Sequence, residues 1–551
     1  MLEARNLVKS LHVMATNAIA NIIALQSLLF EEDANVRKLR EYSPKSDSSY
    51  AIYVCRNHSF EIIEGVIKPY LDYAGIRATF TYSDYDDSLS FGDLDPQSDM
   101  IILWLDLSRY SESFDISKFL HDRIGFLEQN YKKNILFVPF GKNVELDKSR
   151  IILYKNLDNI KEKLGDKYLD LRMEKFSGTQ LSLAASLEIA RDLGLRYIPS
   201  MLKSALKGIV LDLDNTLYEG VLGEDGIHGV RLTHSHARLQ TMLKELGNQG
   251  FFLSVASKND EKDVLDLFEK RQDFPLKVED FTKICAHWNS KAQSISDIAA
   301  YINISPDSLL FIDDNLGEIV SVLEHHPEIS VLWAKENAAL TCKALSETPG
   351  FLKLTVRHED NLRKKDVQAN QYRKNLEKSL SKENYIKQLN MQLTFSIDQP
   401  AQLERVSELS RKTNQFIFSY KRYTQSDVQD LMQSPSSRVV AISLKDDLSD
   451  SGIIGVVTLK KYDDVGFLEE CFVSCRALGR GIDEAIVLGA IQTGLKSLGL
   501  QKLHVSLTKG DRNLPAEKFL EKNLVPYKDS PSFFSYDLPT DLIKIGIQEN
   551  V

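Results

Sequence analysis

The chain has 551 residues, 43% of them hydrophobic and 26% charged, with a formal net charge of −10 at pH 7. That length accommodates about three or four domains, and the apolar share is ordinary for soluble globular protein. The acidic balance excludes a nucleic-acid binder that works through a broadly basic surface.

Residues 1–45 open with an uncharged run from Ser10 to Phe30, preceded by Arg5 and Lys9. His12, Asn17, Asn21 and Gln26 interrupt it and no small-residue cleavage site follows, so it reads as an amphipathic helix and not as a leader. Such a helix packs on the protein or on a second subunit in a homodimer. No other segment is long and apolar enough to suggest a membrane span. From 46 to 200, "YAIYVC", "MIILWLDL" and "NILFVPF" read as buried parallel strands, with helical runs at "FEIIEGVIKPYLDYAG" and "DISKFLHDRIGFLEQN" between them. That alternation predicts an α/β domain. A second α/β domain spans 205–345, with strands at "GIVLDLD", "FFLSVAS", "KICAHW", "LLFIDD" and "ISVLW". Residues 346–389 are charged and helical, a solvated connector. Strands return over 390–551 ("QLTFSI", "RVVAISLKD", "GIIGVVTLKKY", "GFLEECFVS", "KLHVSLT") beside three helical runs, an α+β pattern.

The stretch "KGIVLDLDNTLYEG" places Asp212 and Asp214 at the carboxyl end of an apolar strand, where α/β sheets bind ligands. Two carboxylates so close repel unless a cation neutralises them, and a hard divalent ion with oxygen ligands, Mg²⁺, suits that role. A further acidic pair, Asp313 and Asp314, ends the strand "LLFIDDN". Ser257, ending "LSVAS", and Lys291, at the helix start in "HWNSKAQSI", are polar groups suited to phosphate.

Aspartates in the order DxDxT, then Ser, then Lys, then the Asp pair resemble the haloacid dehalogenase (HAD) phosphatase superfamily. The resemblance implies Asp212 as nucleophile, Asp214 as general acid and then base, and Mg²⁺ held by Asp212, Asp313 and the backbone carbonyl of Asp214. It implies Thr216, Ser257 and Lys291 as substrate-binding residues, with Lys291 offsetting charge on the phosphoryl oxygens. "LDLDNTLYEGVLGEDG", "SKND", "HWNSK" and "FIDDN", with "KTNQF" (412–416) and "SCRALGRGIDEA" (474–485), resemble more closely the FkbH-like branch, over nearly the whole chain. That likeness implies an SGNH-like α/β domain, a HAD domain with a parallel sheet and a GNAT-like α+β acyltransferase domain. It implies an enzyme that dephosphorylates 1,3-bisphosphoglycerate and loads the glyceryl unit on the phosphopantetheine thiol of an acyl carrier protein, for polyketide or related biosynthesis. Glu219 stands where that branch usually has glycine, adding an anion at the substrate entrance, and Leu316 where proline is common. Residues 49–199 carry no Ser plus Asp-x-x-His signature.

In "RALGRG", Arg476, Gly479 and Gly481 lie between a strand and a helix, a setting in which backbone N–H groups approach a phosphate. GNAT folds bind the pyrophosphate of coenzyme A with such a turn, and a carrier's phosphopantetheine suits the same slot. Cys475, beside Arg476 and the helix start, is the candidate acyl-carrying thiol, with Cys285 as runner-up. Asn414 in "KTNQF" is expected to bind the substrate or the thioester carbonyl. Cys55, Cys342 and Cys471 read as structural, and His504 as a core residue. "CRNHSF" (55–60) reads as a strand-to-helix turn and not as a nucleophile–base set. With no CxxC among five cysteines, the chain suits a reducing cytoplasm. The alternative function is a plain Mg²⁺-dependent phosphatase of a small metabolite, with flanking assembly domains. A fused N-acetyltransferase would need a base for its amine, and no Glu is evidently placed for one.

Overall fold

In the computed structural model, all residues are described except 1, 32–34, 44–48, 86–88, 93, 95–96, 111–114, 132, 143, 145–150, 204, 353–368, 370–371, 374–375, 377–378, 414, 475–476, 479, 511–512, 524–531, 534–537 and 550–551. The chain forms two compact units, one from residues 1–300 and 305–356, the other from 301–304 and 357–551.

The first unit holds two parallel sheets. Strands β1 (Ser49–Arg56), β2 (Arg77–Tyr82), β3 (Met100–Asp106), β4 (Asn134–Phe140) and β5 (Ile151–Leu153) form the first, ordered β2-β1-β3-β4-β5. Helices cover both faces, so the central strands are apolar without alternation: Met100 to Leu105 are all buried. Strand β2, which the sequence reading missed, lies at the edge and buries only Phe80, so it carries no apolar run. The second sheet has the order β10-β9-β6-β7-β8, from β6 (Gly208–Leu211), β7 (Phe252–Ser257), β8 (Lys283–Ala286), β9 (Leu309–Asp313) and β10 (Ser330–Trp333), again all parallel. The two sheets share one unit: a single hydrophobic cluster runs from Leu29 to Leu345, and Arg191 pairs with Glu347 across it.

The N-terminal helix Leu2–Gln26 packs on the helix Leu316–His325. Val13–Phe30 has the length and mean hydropathy, 1.6, of a membrane span, and here Ala15, Ile19, Leu25, Leu29 and Phe30 are buried in the fold. The Gln26 side chain donates to the Trp333 carbonyl (3.1 Å) and accepts from the Trp333 N–H (3.0 Å), occupying backbone groups on edge strand β10.

The second unit carries one seven-stranded sheet, ordered β16-β15-β14-β13-β12-β11-β17. Its strands are β11 (Gln392–Ile397), β12 (Ser437–Lys445), β13 (Asp450–Tyr462), β14 (Val465–Val473), β15 (Lys502–Val505), β16 (Ser532–Phe533) and β17 (Lys544–Glu549). Neighbours from β11 to β14 are antiparallel, whereas β14–β15 and β11–β17 are parallel. The helix Asp483–Ser497 is buried along most of its length and fills the core beneath β12 and β13. The charged stretch expected to be a solvated connector contributes to this core at its end. Arg373 is buried against Asp446 (2.7 Å), and Tyr385 and Ile386 are buried too.

Candidate active site

Strand β6 lies between β9 and β7, so Asp212, Asp313 and Ser257 reach one carboxyl edge from three adjacent strands. The Asp212 N–H donates to the Ile312 carbonyl (2.9 Å), which extends the pairing one residue beyond β6. The chain then turns sharply. Asn215 adopts a left-handed backbone (φ 53°), which asparagine tolerates. Its amide donates to the Gly220 carbonyl (3.2 Å), and its side-chain oxygen accepts from the Gly220 N–H (3.0 Å). Gly220 has φ 110°, and a Cβ there would lie 2.6 Å from Asp225 Oδ2, so the turn requires glycine.

Lys291 begins the helix Lys291–Ile302 and is buried. Its Nζ lies 2.7 Å from Asp212 Oδ1 and 2.6 Å from Asp313 Oδ2. Asp313 Oδ1 accepts from the Asn315 N–H (2.8 Å). Carboxylate oxygens of Asp212, Asp313 and Asp314 all lie within 4.8 Å of one another. Burial pushes the Asp313 carboxyl up to about 7, with Asp212 adding to the rise and Lys291 opposing it. Burial likewise raises Asp212 and Asp314. For Lys291, burial is outweighed by Asp212 and Asp313, and the ammonium is pushed up to about 12. Three converging carboxylates against one ammonium leave a surplus of negative charge in a dry site. That hard-oxygen donor set fits a divalent cation such as Mg²⁺.

The Asp214 side chain lies outside this acidic set. Its Oδ1 accepts from the Tyr218 hydroxyl (2.7 Å) and the Leu222 N–H (3.0 Å), and its Oδ2 from Asn259 Nδ2 (2.9 Å). Ser257 is buried, and its Oγ accepts from Asn259 Nδ2 (3.0 Å). Thr216 is buried with no hydrogen-bond partner for its hydroxyl among the described residues. Glu219, the added anion, is exposed and pairs with Arg231, which holds its carboxyl below the usual range. Reciprocal backbone bonds of 2.9 and 2.8 Å reinforce that pair. Leu316 occupies the first position of its helix after the cap Asn315, a place where proline is equally compatible.

In the second unit, Cys475, Arg476, Gly479 and Asn414 lie outside the described residues. Gly481 is described, with a left-handed backbone (φ 72°) directly before the helix Asp483–Ser497. Asp483 and Glu484 stand in the first turn of that helix, which sets negative charge where an incoming phosphate would lie. Arg480, in the same turn, donates to Ser451 Oγ (3.1 Å) and approaches Asp446 (3.5 Å), a structural anchorage. Strands β14 and β15 pair only over Val465–Leu468. Beyond that, the segment 416–418 lies along β14: the Phe418 N–H donates to the Cys471 carbonyl (3.1 Å), and the Val473 N–H to the Phe416 carbonyl (3.0 Å).

Cys285 is buried on β8, and burial raises its thiol, which disfavours the thiolate. Cys55, Cys342 and Cys471 are buried free thiols, as a structural role requires. His504 is exposed, not core, with its ring against Phe467 (4.9 Å). In "CRNHSF", His58 stacks on Trp104 and contacts Thr179 Oγ1 (3.0 Å) through Nδ1, while Ser59 donates to Glu61 (2.6 Å). The Cys, His and Ser of that turn thus form no relay.

No protein-family model and no curated protein matches the sequence. Similar solved structures include the N-terminal part of protein BF1531 from Bacteroides fragilis, which contains a phosphatase domain and is complexed with Mg. It is 21% identical, over 61% of this chain and 99% of that one, with a TM-score of 0.43. A ribosomal-protein-alanine N-acetyltransferase from Brucella melitensis biovar Abortus 2308 is 13% identical over 26% of this chain and 99% of its own, with a TM-score of 0.20. The HAD family enzyme BT-2542 from Bacteroides thetaiotaomicron, in complex with magnesium and inorganic phosphate, is 16% identical over 37% and 95%, with a TM-score of 0.16. At these identities and TM-scores the likeness extends no further than partial overlap of fold.

Asn259, Tyr218 and Asn315 contact the site and were not singled out from the sequence. Each lies inside a motif quoted above, Asn259 in "SKND", Asn315 in "FIDDN" and Tyr218 in "LDLDNTLYEG", and Asn259 follows the strand-ending Ser257 by two residues, the spacing at which a turn side chain bends back over a sheet edge. Asp314, noted in sequence only as the neighbour of Asp313, joins the acidic set through its own carboxylate.

Proposed function

We propose that the first unit is a Mg²⁺-dependent phosphatase working through an aspartyl-phosphate on Asp212. The observation that carries this reading is the convergence of Asp212, Asp313 and Asp314 within 4.8 Å at the carboxyl ends of the paired strands β6 and β9, with the Lys291 ammonium seated between two of them. Asp212, Asp313 and Asp314 would hold the ion, which, when bound, supplies positive charge to the phosphoryl oxygens.

Asp212 attacks phosphorus with one carboxylate oxygen, and the bond from phosphorus to the leaving oxygen breaks. Asp214 gives that oxygen a proton, then takes one from the water that hydrolyses the aspartyl-phosphate. Lys291 and Ser257 bind phosphoryl oxygens, and the buried ammonium offsets charge that builds there. Asp212→Asn keeps the shape and removes the attacking charge. Phosphate release is expected to vanish with the folded state retained, and turnover in that variant would rule out the covalent route.

The finer reading is that the chain uses 1,3-bisphosphoglycerate and transfers glyceryl to a carrier-protein thiol. The FkbH-like motifs on both units support it, as does the largely antiparallel sheet of the second unit with a parallel step at β14–β15. In that scheme the Cys475 thiolate attacks the acyl carbon of the mixed anhydride and one phosphate leaves, water hydrolyses the remaining phosphate ester by way of Asp212, and the glyceryl thioester passes to the carrier thiol. Intact-mass analysis after incubation with 1,3-bisphosphoglycerate and Mg²⁺ is expected to show a glyceryl adduct that Cys475→Ala abolishes. A full-yield adduct in that variant removes Cys475 from the scheme. One observation favours the plain phosphatase instead: the segment 416–418 already occupies backbone groups on β14 beside the β14–β15 gap. Under that alternative no adduct forms in the wild type.

A further inference from the structure

The side chain of Asn259 joins two groups with different tasks. It is buried, 3% exposed, in the turn between β7 and the helix Glu261–Lys270. Asp260, the next residue, caps that helix by accepting from the Lys262 N–H (3.0 Å), which fixes the backbone on one side. Ser257, two residues earlier, ends β7 and fixes it on the other. Asn259 Nδ2 therefore has little freedom. Its two protons point to Asp214 Oδ2 (2.9 Å) and Ser257 Oγ (3.0 Å). Among the described residues, Asp214 is otherwise held only at Oδ1, by Tyr218 and the Leu222 N–H. Without Asn259, the described contacts leave Oδ2 unrestrained, and the carboxyl can turn about its terminal torsion, which has a broad energy profile.

We infer that Asn259 is a positioning residue: its amide aims the Asp214 carboxyl at the leaving-group oxygen and ties it to the phosphate-binding Ser257. The inference rests on the phosphatase reading above. An amide is suited to this because one nitrogen supplies two donors in a fixed plane. Aspartate has the same outline but offers acceptors where donors are needed, and it sets a second carboxylate against that of Asp214.

The dependence on leaving group tests it. A positioned acid matters most where the leaving oxygen must be protonated, as in an alkyl phosphate, and least for p-nitrophenyl phosphate, whose phenolate leaves unaided. In the full-length protein with Mg²⁺, Asn259→Ala is expected to lower kcat on the alkyl ester on the order of 100-fold, within the range of general acid catalysis. On p-nitrophenyl phosphate the fall should be about 10-fold smaller. Asn259→Asp should restore neither. Equal falls on both esters, or wild-type rates in Asn259→Asp, overturn the inference. A crystal structure of Asn259→Ala gives a second measure, and Asp214 held in its original rotamer there also overturns it. Phosphate release by Asp212→Asn overturns the aspartyl-phosphate route instead, and none by the wild type on either ester overturns the phosphatase reading. The Asp214 rotamer then decides the Asn259 inference separately.

Discussion

Lys291 is the residue on which the electrostatics of the first unit turn. Its ammonium is 5% exposed, and both partners are as deeply buried. Two carboxylates facing each other in a dry site with no cation between them repel strongly, so removing the ammonium costs more than two lost hydrogen bonds. Lys291→Met keeps the stem length and deletes the charge. Folding stability should fall by about 3–5 kcal/mol, the range for breaking a buried ion pair. Denaturant titration measures this, and added Mg²⁺ should recover part of the loss by binding only the folded state. A variant as stable as wild type without Mg²⁺ would show that the aspartates are not both charged in the folded protein.

Among the elements, β14 shows how a strand can specify a loop. Glu470 is fully buried on it, and its oxygens accept from the backbone N–H groups of Phe418 (2.9 Å), Ser419 (3.0 Å), Lys421 (2.7 Å) and Cys471 (2.9 Å). A carboxylate so engaged has no lone pair to spare for deprotonating an amine, which weighs against the fused N-acetyltransferase reading. Asp398 plays a smaller version of the part at the end of β11, accepting from the Val439 N–H (2.8 Å). Burial pushes its carboxyl up from 3.8 to about 6, with the Val439 bond and Arg438 opposing the rise. The folded state therefore binds this proton more tightly than the unfolded chain. Its contribution to stability is full below about pH 4 and is lost as pH rises through about 6. Asp398→Asn should flatten the stability profile across that interval, read from denaturant midpoints at constant slope. An unchanged profile would mean that Asp398 titrates alike in both states.

For the molecule as a whole, the proposed phosphatase site lies within the first unit, and it is assembled from residues about a hundred positions apart in the chain, Asp212 to Asp313. Phosphate release should stop on treatment with EDTA and return with Mg²⁺. Asp313→Ala should need more Mg²⁺ for half-maximal rate, since a hard cation loses an anionic ligand. EDTA-treated wild-type protein that works at full rate would refute the metal assignment.

The sequence by itself determined the strands that are buried on both faces, because continuous apolar runs such as "MIILWLDL" and "NILFVPF" need no partner to be recognised. It also determined the positions of Asp212, Ser257 and Asp313, each at the end of such a run. Edge strands β2 and β17 were not legible: their residues are largely exposed, and β17 is held by pairing with β11 about 150 residues earlier. Only the tertiary structure decided that Asp314 shares the acidic set while the Asp214 side chain does not, and that Asn259 reaches both Asp214 and Ser257. It likewise decided that Arg373 belongs in a core. Side-chain direction at a strand end depends on the turn that follows and on the strands beside it. Those neighbours are brought together by burial of apolar faces over distances that no local spacing encodes.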